Sequence, residues 1–419
     1  MYSKYFCPMV WIGFLCVMMT GIRAEAEPLS RVEAVRLALK DNPEVIAALK
    51  EWDVARAQVW QARALPDPEL ELEYEELPGV FSLGKFGERN IGVVQTIEFP
   101  ATWWLRNRAA VQNAHATQMQ AYETAKLDIA ARVKIAYDRI VVNQKIYDYS
   151  EQNLKLAQDF LAKAQARFEA GDVPQLEVLR AEVEAGRAEN QVTVARSDLW
   201  TSKAELNTRL ARDIKTPLGV VGDVDYQLVE LDLSSLKERA LVSRPDLAGA
   251  GLALASVRSW RSATVASILP NINLGIFRQT ISGPTGKESF WRTGIGLELP
   301  VWAMFRQRGE IAETNAQVAK VSAQTDAVRY QVVLDVEVAF LNLKAAEQQV
   351  GLFQDRILPV AERAYEVGSQ SYREGKATYL ELLEAQRSLT ETRIEHAEAL
   401  FAYRSAMANL ERAVGSDLE

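Results

Sequence analysis

The chain repeats itself at a distance of about 200 residues, and this internal duplication constrains its fold more than any other feature. The clearest match aligns the segment Phe168–Ala181 with Tyr372–Ala385, at an offset of 204 positions. Three proline-containing pairs recur at nearly the same spacing: Asn42-Pro43 with Arg244-Pro245, Leu65-Pro66 with Leu269-Pro270, and Phe99-Pro100 with Leu299-Pro300. We therefore predict two copies of one unit, at 27–211 and 233–415, with a linker at 212–232 and a tail at 416–419.

The first 26 residues have the pattern of a secretory signal peptide. Lys4 precedes an apolar run from Phe6 to Met19, and the sequence Ala24-Glu25-Ala26 fits a small-residue cleavage site. The run is shorter than the roughly 20 residues that a transmembrane helix needs. We therefore predict a cleaved signal at 1–26, and the alternative is an uncleaved membrane anchor.

Each unit begins with a helix and contains a much longer one. Prolines predict that the opening helices, at 29–64 and 233–268, are interrupted at Pro43 and Pro245. The segment 101–170 has neither proline nor glycine, and a continuous helix of that length would extend ~105 Å.

The long helix carries a heptad pattern. Bulky residues recur every seven positions from Val133 to Phe168, and mostly small residues follow three positions behind them, from Ala136 to Ala164. This pattern predicts a coiled coil in which a glycine turn leads to a return helix. In the second unit, Pro359 predicts a bend in the long helix.

Two short segments of alternating polarity lie between the opening helix and the long helix of each unit. In the first unit, Leu70, Leu72 and Tyr74 occupy one face of the predicted strand. The opposite face carries Glu69, Glu71, Glu73 and Glu75. In the second unit, the predicted strands flank a loop at 282–287.

The alternation has two interpretations. One is a hairpin with a solvated face, where the glutamates need no role; the other is a membrane β-barrel with these glutamates lining the lumen. Four strands cannot close a barrel, and open sheet edges are not tolerated in hydrocarbon. A barrel must then be shared between chains, and three chains would supply twelve strands, enough for a passage.

Composition argues against several function classes. Both cysteines, Cys7 and Cys16, lie in the predicted signal, and the two histidines, His115 and His396, are far apart. We therefore predict no enzyme, no cofactor and no metal centre. The net charge of −8 also argues against nucleic-acid binding.

The duplicated pattern resembles the TolC-like outer-membrane efflux family over nearly the whole mature chain. The most specific part is the repeated tip motif at 168–181 and 372–385, an aromatic residue, then glycine, then Leu-acid-x-Leu and alanine. The chain length, Pro66-Asp67-Pro68 and Ile97-Glu98-Phe99-Pro100 resemble the CzcC-like cation-efflux branch. The resemblance implies a mainly α fold with a small β part: a homotrimer whose helical hairpins form a tunnel and whose strands form a 12-stranded barrel.

The same resemblance suggests functional residues near the glycine turns. It implies a periplasmic constriction formed by Glu177, Glu381 and Glu384, with the alternative that these acids only stabilise the start of a helix. It also implies adaptor contacts at two tips, with the alternative that their glycines only satisfy a turn. The tip residues are Gly171, Asp172, Val173, Gly375, Lys376 and Ala377.

The function that the resemblance implies is a passive export duct. The homotrimer would sit in the lipid bilayer of a Gram-negative outer membrane, with its helices in the periplasm. It would receive substrate from an inner-membrane efflux pump through a periplasmic adaptor protein, with metal cations as a candidate cargo. The alternative is a secreted periplasmic coiled-coil scaffold without a pore.

Overall fold

The computed structural model describes residues 28–222, 226, 229–300 and 303–418. The predicted signal at 1–26 lies outside these residues, as do parts of the predicted linker and the last residue of the tail. The helices are α1 (Arg31–Asp41), α2 (Pro43–Arg63), α3 (Pro100–Thr117), α4 (Thr124–Glu169), α5 (Gln175–Arg209), α6 (Leu233–Ser243), α7 (Pro245–Ala266), α8 (Ala303–Leu352), α9 (Leu358–Arg373) and α10 (Tyr379–Val414). The strands are β1 (Pro28–Leu29), β2 (Glu69–Glu75), β3 (Glu88–Ile97), β4 (Gly219–Val220), β5 (Asn271–Gly283) and β6 (Gly286–Glu298).

The opening helix of each unit is interrupted where the prolines predicted. Asn42 separates α1 from α2 in extended conformation, and its side chain accepts a hydrogen bond from the Glu44 backbone N–H at 2.8 Å. Arg244 separates α6 from α7, also in extended conformation but without a side-chain cap, and Pro245 lies in the first turn of α7. Within the described ranges, no helix combines the length and the apolar character that crossing a membrane requires.

Each long helix contains one π turn. In the first unit α3 continues through a π turn at Gln118–Glu123 into α4, and in the second α8 continues through Phe353–Ile357 into α9. Pro359, where a bend was predicted, lies in the first turn of α9, directly after this π turn. The π turn of the first unit has no proline nearby and was not predicted.

Small residues pack the long helices closely together. On α4 the buried small residues recur every seven positions; they are Ala136, Asn143, Ser150, Ala157 and Ala164. On α5 a second buried set has the same spacing; it consists of Ala181, Ala188, Ala195 and Ser202. Asn143 donates from Nδ2 to the Asp198 carbonyl of α5 at 3.2 Å. The small side of the predicted heptad pattern thus gives the contact between these antiparallel helices.

The π turn of the second unit keeps the buried residues of α8 and α9 on one face of the helix. Ala339, Ala346 and Phe353 are buried at steps of seven, and the next buried position is Ala361, eight residues further on. A π turn accommodates one extra residue in a helix. The turn at Phe353–Ile357 therefore absorbs the extra position, so the buried face continues into α9.

Four strands form one antiparallel sheet in the order β2-β3-β5-β6. The predicted alternation is confirmed, because Leu70 lies opposite Val93 and Val93 lies opposite Ile276 on one face. The predicted bounds of the loop, 282–287, are wrong. β5 runs to Gly283 and β6 starts at Gly286, which leaves a two-residue turn. Among the strands described, β2 and β6 each pair on one side only.

Candidate functional site

The first tip joins α4 to α5 through a left-handed glycine. Gly171 has φ of +81° and donates from its backbone N–H to the Phe168 carbonyl at 3.0 Å. The Asp172 N–H donates to the Arg167 carbonyl at 2.9 Å, so both bonds close the last turn of α4. Asp172 is exposed, whereas Val173 is buried.

The second tip repeats this turn 204 residues later. Gly375 has φ of +71°, and its N–H donates to the Tyr372 carbonyl at 3.1 Å. The Lys376 N–H donates to the Ser371 carbonyl at 2.8 Å. The Lys376 ammonium is exposed and contacts the Glu374 carboxylate at 2.6 Å, and Ala377 is half-buried. The positive φ therefore favours glycine at both tips, whatever else these residues do.

Glu381 caps the return helix of the second tip. Its carboxylate accepts from the Thr378 backbone N–H at 2.7 Å and from the Thr378 hydroxyl at 2.9 Å, while Thr378 Oγ1 accepts from the Glu381 N–H. This reciprocal pair is a capping box. The two bonds from Thr378, the backbone one first, hold the pKa of Glu381 below its usual value. The helix-stabilising role anticipated as the alternative is thus present at Glu381.

Glu177 has the equivalent position in the first unit but a different environment. Pro174 stands where Thr378 stands in the second unit, and proline offers neither an N–H nor a hydroxyl. Within the described residues, the Glu177 carboxylate makes no hydrogen bond or ion pair. Glu384 lies one turn beyond Glu381 and is exposed.

The three carboxylates lie at the beginning of the two return helices, at the tip end of the chain. Within the part of the chain that the structure describes, they do not form a group that could hold a metal ion, and neither do other histidines or acids. One chain alone therefore does not bring them together into a site.

Sequence reasoning missed an aromatic cluster that joins the two tips. Tyr379 of α10 packs edge-on against Phe160 of α4, with ring centroids 6.1 Å apart, and lies 6.3 Å from Tyr372. The Tyr372 hydroxyl accepts from Arg167 at 3.0 Å. Burial raises the pKa of Tyr379 to about 12, and the nearby Glu184 adds to the rise. The signal available in the sequence was a pair of tyrosines flanking the second tip glycine.

A part-buried ion pair also connects the return helices. The Arg387 guanidinium of α10 makes two hydrogen bonds to the Glu184 carboxylate of α5, one of them 2.9 Å long. Glu184 is almost fully buried, and its other cationic neighbour, Arg187, lies 4.0 Å away and is largely exposed. These contacts fix the α4–α5 hairpin against the α9–α10 hairpin.

In the sheet, the predicted lumen acids share one face. Glu69, Glu71, Glu73 and Glu75 are exposed and lie opposite Val94, Gly92, Asn90 and Glu88. Asn90 donates to the Glu73 carboxylate at 3.3 Å.

A phenylalanine covers the middle of this same face. Phe277 lies opposite Gly92 and is only 9% exposed. A Cβ on Gly92 would lie 2.1 Å from the Phe277 ring, and one on Gly275 would lie 2.4 Å from it. The Arg292 guanidinium covers the ring from the next strand, with Cζ 4.8 Å from the centroid. Sequence reasoning missed this arrangement, whose signal was glycine on the same face of two neighbouring strands.

This combination of duplicated helical hairpins and a small antiparallel sheet is the fold of outer-membrane channels. A solved structure titled for conformational changes in CusC during folding and transmembrane channel formation superposes with a TM-score of 0.76, at 18% identity and 99% coverage of both chains. The family model described as outer membrane efflux protein matches residues 34–212 and 236–416. The chain belongs to the outer membrane efflux protein family.

Two characterised relatives share only moderate identity with the chain. The cobalt-zinc-cadmium resistance protein CzcC of Cupriavidus metallidurans is 23% identical over 398 residues, which cover 94% of this chain and 91% of that protein. The pyoverdine export outer membrane protein OpmQ of Pseudomonas putida is 23% identical over 306 residues, 70% of this chain and 63% of that protein.

Family membership confirms several predictions. The resemblance to outer-membrane efflux proteins is confirmed, and so is the mainly α fold with a small sheet. The protein is an efflux channel of the outer membrane rather than an enzyme. The boundaries of the two units and the roles of the individual tip and lumen residues stay predictions.

Proposed function

We propose that three copies of this chain form a passive export duct. The duct would receive its cargo from an inner-membrane pump through a periplasmic adaptor protein. The observation that carries the proposal is a four-stranded sheet with an apolar face and two unpaired edges, attached to helical hairpins that end in a matched pair of tips.

The sheet supports a barrel shared between chains. On its apolar face Leu70, Ile295 and Leu297 are all more than half exposed in the single chain. Lipid would cover such a face, but the unpaired edges of β2 and β6 would be intolerable in hydrocarbon. Pairing β6 of one chain with β2 of the next closes the sheet, and three chains give twelve strands around a lumen lined by the glutamates of β2.

The tip carboxylates support a cation-selective constriction. Three-fold symmetry would repeat Glu177 and Glu384 around one axis, and neither carboxylate is held by a capping hydroxyl. Rings of carboxylates favour cations. Glu381 would contribute less, because one of its carboxylate oxygens, Oε2, already accepts two hydrogen bonds from Thr378.

The tips themselves would contact the adaptor. Asp172 and Lys376 project from equivalent turns at the end of the molecule furthest from the sheet, and both are exposed. In a three-fold assembly the tips would alternate between Asp172 and Lys376. The adaptor would thus meet six tips, three with an acid and three with a base. We expect charge reversal at both positions to abolish export, and reversal of Lys50 on α2 to leave it unchanged.

Metal cations are the proposed cargo. The relative CzcC is named for resistance to cobalt, zinc and cadmium, and acidic residues at the constriction suit such cations. The relative OpmQ, however, is named for export of pyoverdine. Cells that lack the gene should therefore accumulate more zinc, cobalt or cadmium than cells that carry it. Unchanged accumulation of all three metals would exclude this cargo.

The duct is tested first by its location and mass. The detergent-solubilised protein from the outer membrane should have three times the mass of the mature chain and should conduct ions in a planar bilayer. A monomer or dimer that is soluble without detergent would instead support the periplasmic scaffold.

The constriction is tested by single-channel recording. The double substitution Glu177→Gln and Glu384→Gln should lower cation selectivity and weaken block by a trivalent cation, and Glu381→Gln should do so less. Glu374→Gln is the control, because that carboxylate is exposed at the tip and paired with Lys376. Unchanged selectivity in the double variant would reject the constriction.

A further inference from the structure

The end of the sheet furthest from the helices carries a cluster of positive charge on its outward face. β2 and β5 begin just after α2 and α7, so the connection at 76–87 and the turn at 284–285 lie at the far end of both hairpins. If the helices occupy the periplasm, this far end reaches the outer leaflet. The inference therefore depends on the proposed crossing of the membrane by the sheet.

The outward face changes character along the strands. Near the helices it is apolar: Ile272 lies opposite Leu297, and Leu274 lies opposite Ile295. About 20 Å beyond Ile272 along β5, at ~3.3 Å per residue, Arg278 takes the same face. Beyond it the outward positions are Tyr74 and Arg89, which lie opposite each other, and then Lys287. We call Arg89, Arg278 and Lys287 the rim cations.

Aromatic rings hold the rim cations in place. Phe86 is buried in the connection between β2 and β3, with Tyr74 packed edge-on against it at 5.8 Å. The Lys287 ammonium lies 4.3 Å and the Arg89 guanidinium carbon 5.0 Å from the Phe86 centroid. Arg278 lies 5.7 Å from the centroid of the exposed Trp291. Such contacts fix the cations but do not neutralise them.

No carboxylate neutralises the rim cations among the residues that the structure describes. None of them has an acidic oxygen within 4.0 Å, and Arg89 Nε is buried without a hydrogen-bond partner. The acids of β2, β3 and β6 in this region lie on the opposite face; they are Glu71, Glu73, Glu75, Glu88 and Glu288. The carboxylate of Glu76 packs against Gly87 instead.

We propose that the rim cations bind the phosphate groups of phosphorylated glycolipid in the outer leaflet. Arginine forks match phosphate oxygens, and aromatic rings are enriched where a barrel meets the membrane–water boundary. The cations project sideways from the barrel, directly above its apolar band, rather than into the lumen. A ligand in that position needs a phosphate at headgroup depth and acyl chains below it, which a soluble anion lacks.

The test compares three ligands on the purified oligomer in detergent. Native mass spectrometry would measure retention of lipid A, of lipid A from which the phosphates have been removed, and of inorganic phosphate. The protein should retain lipid A at least tenfold better than the dephosphorylated form, and millimolar inorganic phosphate should not displace it. Equal retention of both lipid forms would overturn the proposal, and so would displacement by inorganic phosphate.

Variants separate charge from folding. The triple substitution Arg89→Gln, Arg278→Gln and Lys287→Gln should lower lipid A retention about tenfold, and Arg89→Lys with Arg278→Lys should keep most of it. Arg292→Gln is the matched control, because Arg292 also covers an aromatic ring but on the opposite face. Equal retention by the triple variant, with its oligomeric mass and conductance intact, would overturn the lipid site alone. Failure to find an oligomer in the outer membrane would instead reject the proposed duct.

Discussion

The two tips have the same turn but begin their return helices differently. Gly171 and Gly375 have nearly equal φ angles and make equivalent backbone hydrogen bonds. The return helix α10 starts with a capping box between Thr378 and Glu381, whereas α5 starts after Pro174 with no side-chain cap. Duplication thus preserved the turn. The acid six residues after each tip glycine caps its helix in the second unit, as Glu381, and makes no such bond in the first, as Glu177.

The largest expected effect comes from removing the ion pair that joins the return helices α5 and α10. Arg387→Ala should lower the free energy of unfolding by about 2–3 kcal/mol, because it leaves the buried Glu184 without its main partner. Arg187→Ala is the matched control and should cost less than about 0.5 kcal/mol, since Arg187 is exposed and 4.0 Å from the same carboxylate. Chemical denaturation of the detergent-solubilised protein measures both. Equal losses would mean that Arg387 does not hold the two hairpins together.

Substitution of either tip glycine by alanine should lower the free energy of unfolding by a similar amount. Gly171→Ala and Gly375→Ala should each destabilise by about 1–2 kcal/mol, because a side chain is disfavoured at positive φ and nothing else lies within 4 Å of either position. Thermal unfolding should show shifts of similar size for the two variants. A clear difference between them would contradict the equivalence of the two turns.

Substitutions at the first residues of the two return helices should differ in their effect on the free energy of unfolding. Thr378→Ala should cost about 1 kcal/mol through loss of the capping hydroxyl. Pro174→Ala should change stability by less than about 0.5 kcal/mol, because Pro174 donates no cap to α5. Chemical denaturation of the two variants under the same conditions measures both effects, and a larger loss for Pro174→Ala than for Thr378→Ala would contradict the difference between the two helix starts.

The smallest expected effect is on acid stability. Because the folded protein lowers the pKa of Glu381 below the usual value of 4.5, its ionised form stabilises the fold above that pH. This contribution is lost as the pH falls below about 4.5 and through the lowered pKa. The unfolding temperature of Glu381→Gln should therefore fall less steeply than that of the unaltered protein between pH 5 and pH 3. Parallel pH profiles would show that the capping carboxylate is unimportant.

Local features were accessible from the sequence because they depend on neighbouring residues. Pro43 and Pro245 marked the helix breaks, and the alternation around Leu70 and Leu72 marked the strand and its two faces. The glycines marked the tips for the same reason, since the left-handed turn is a property of a few consecutive residues. The capping box had a local signal too, a threonine three residues before a glutamate, although only Glu381 was singled out.

Other features depend on residues far apart or on the geometry of packing. Glu184 and Arg387 are 203 residues apart, and one sequence gives no sign that they meet. Phe277 lies over glycines of two strands, which only the register brings together. The π turn at Phe353–Ile357 left a single trace, an eight-residue step between buried positions, which is visible only once the packed face is known.

That π turn has a consequence for how such a molecule can change in length. An insertion in a heptad-packed helix normally rotates every later residue away from its partner, so most insertions in α8 or α9 would disrupt the packing beyond them. A turn that widens by one residue confines the rotation to five positions and restores the phase beyond them. Such a turn lets one hairpin of the duplicated chain differ in length from the other by a single residue while its packed face is kept.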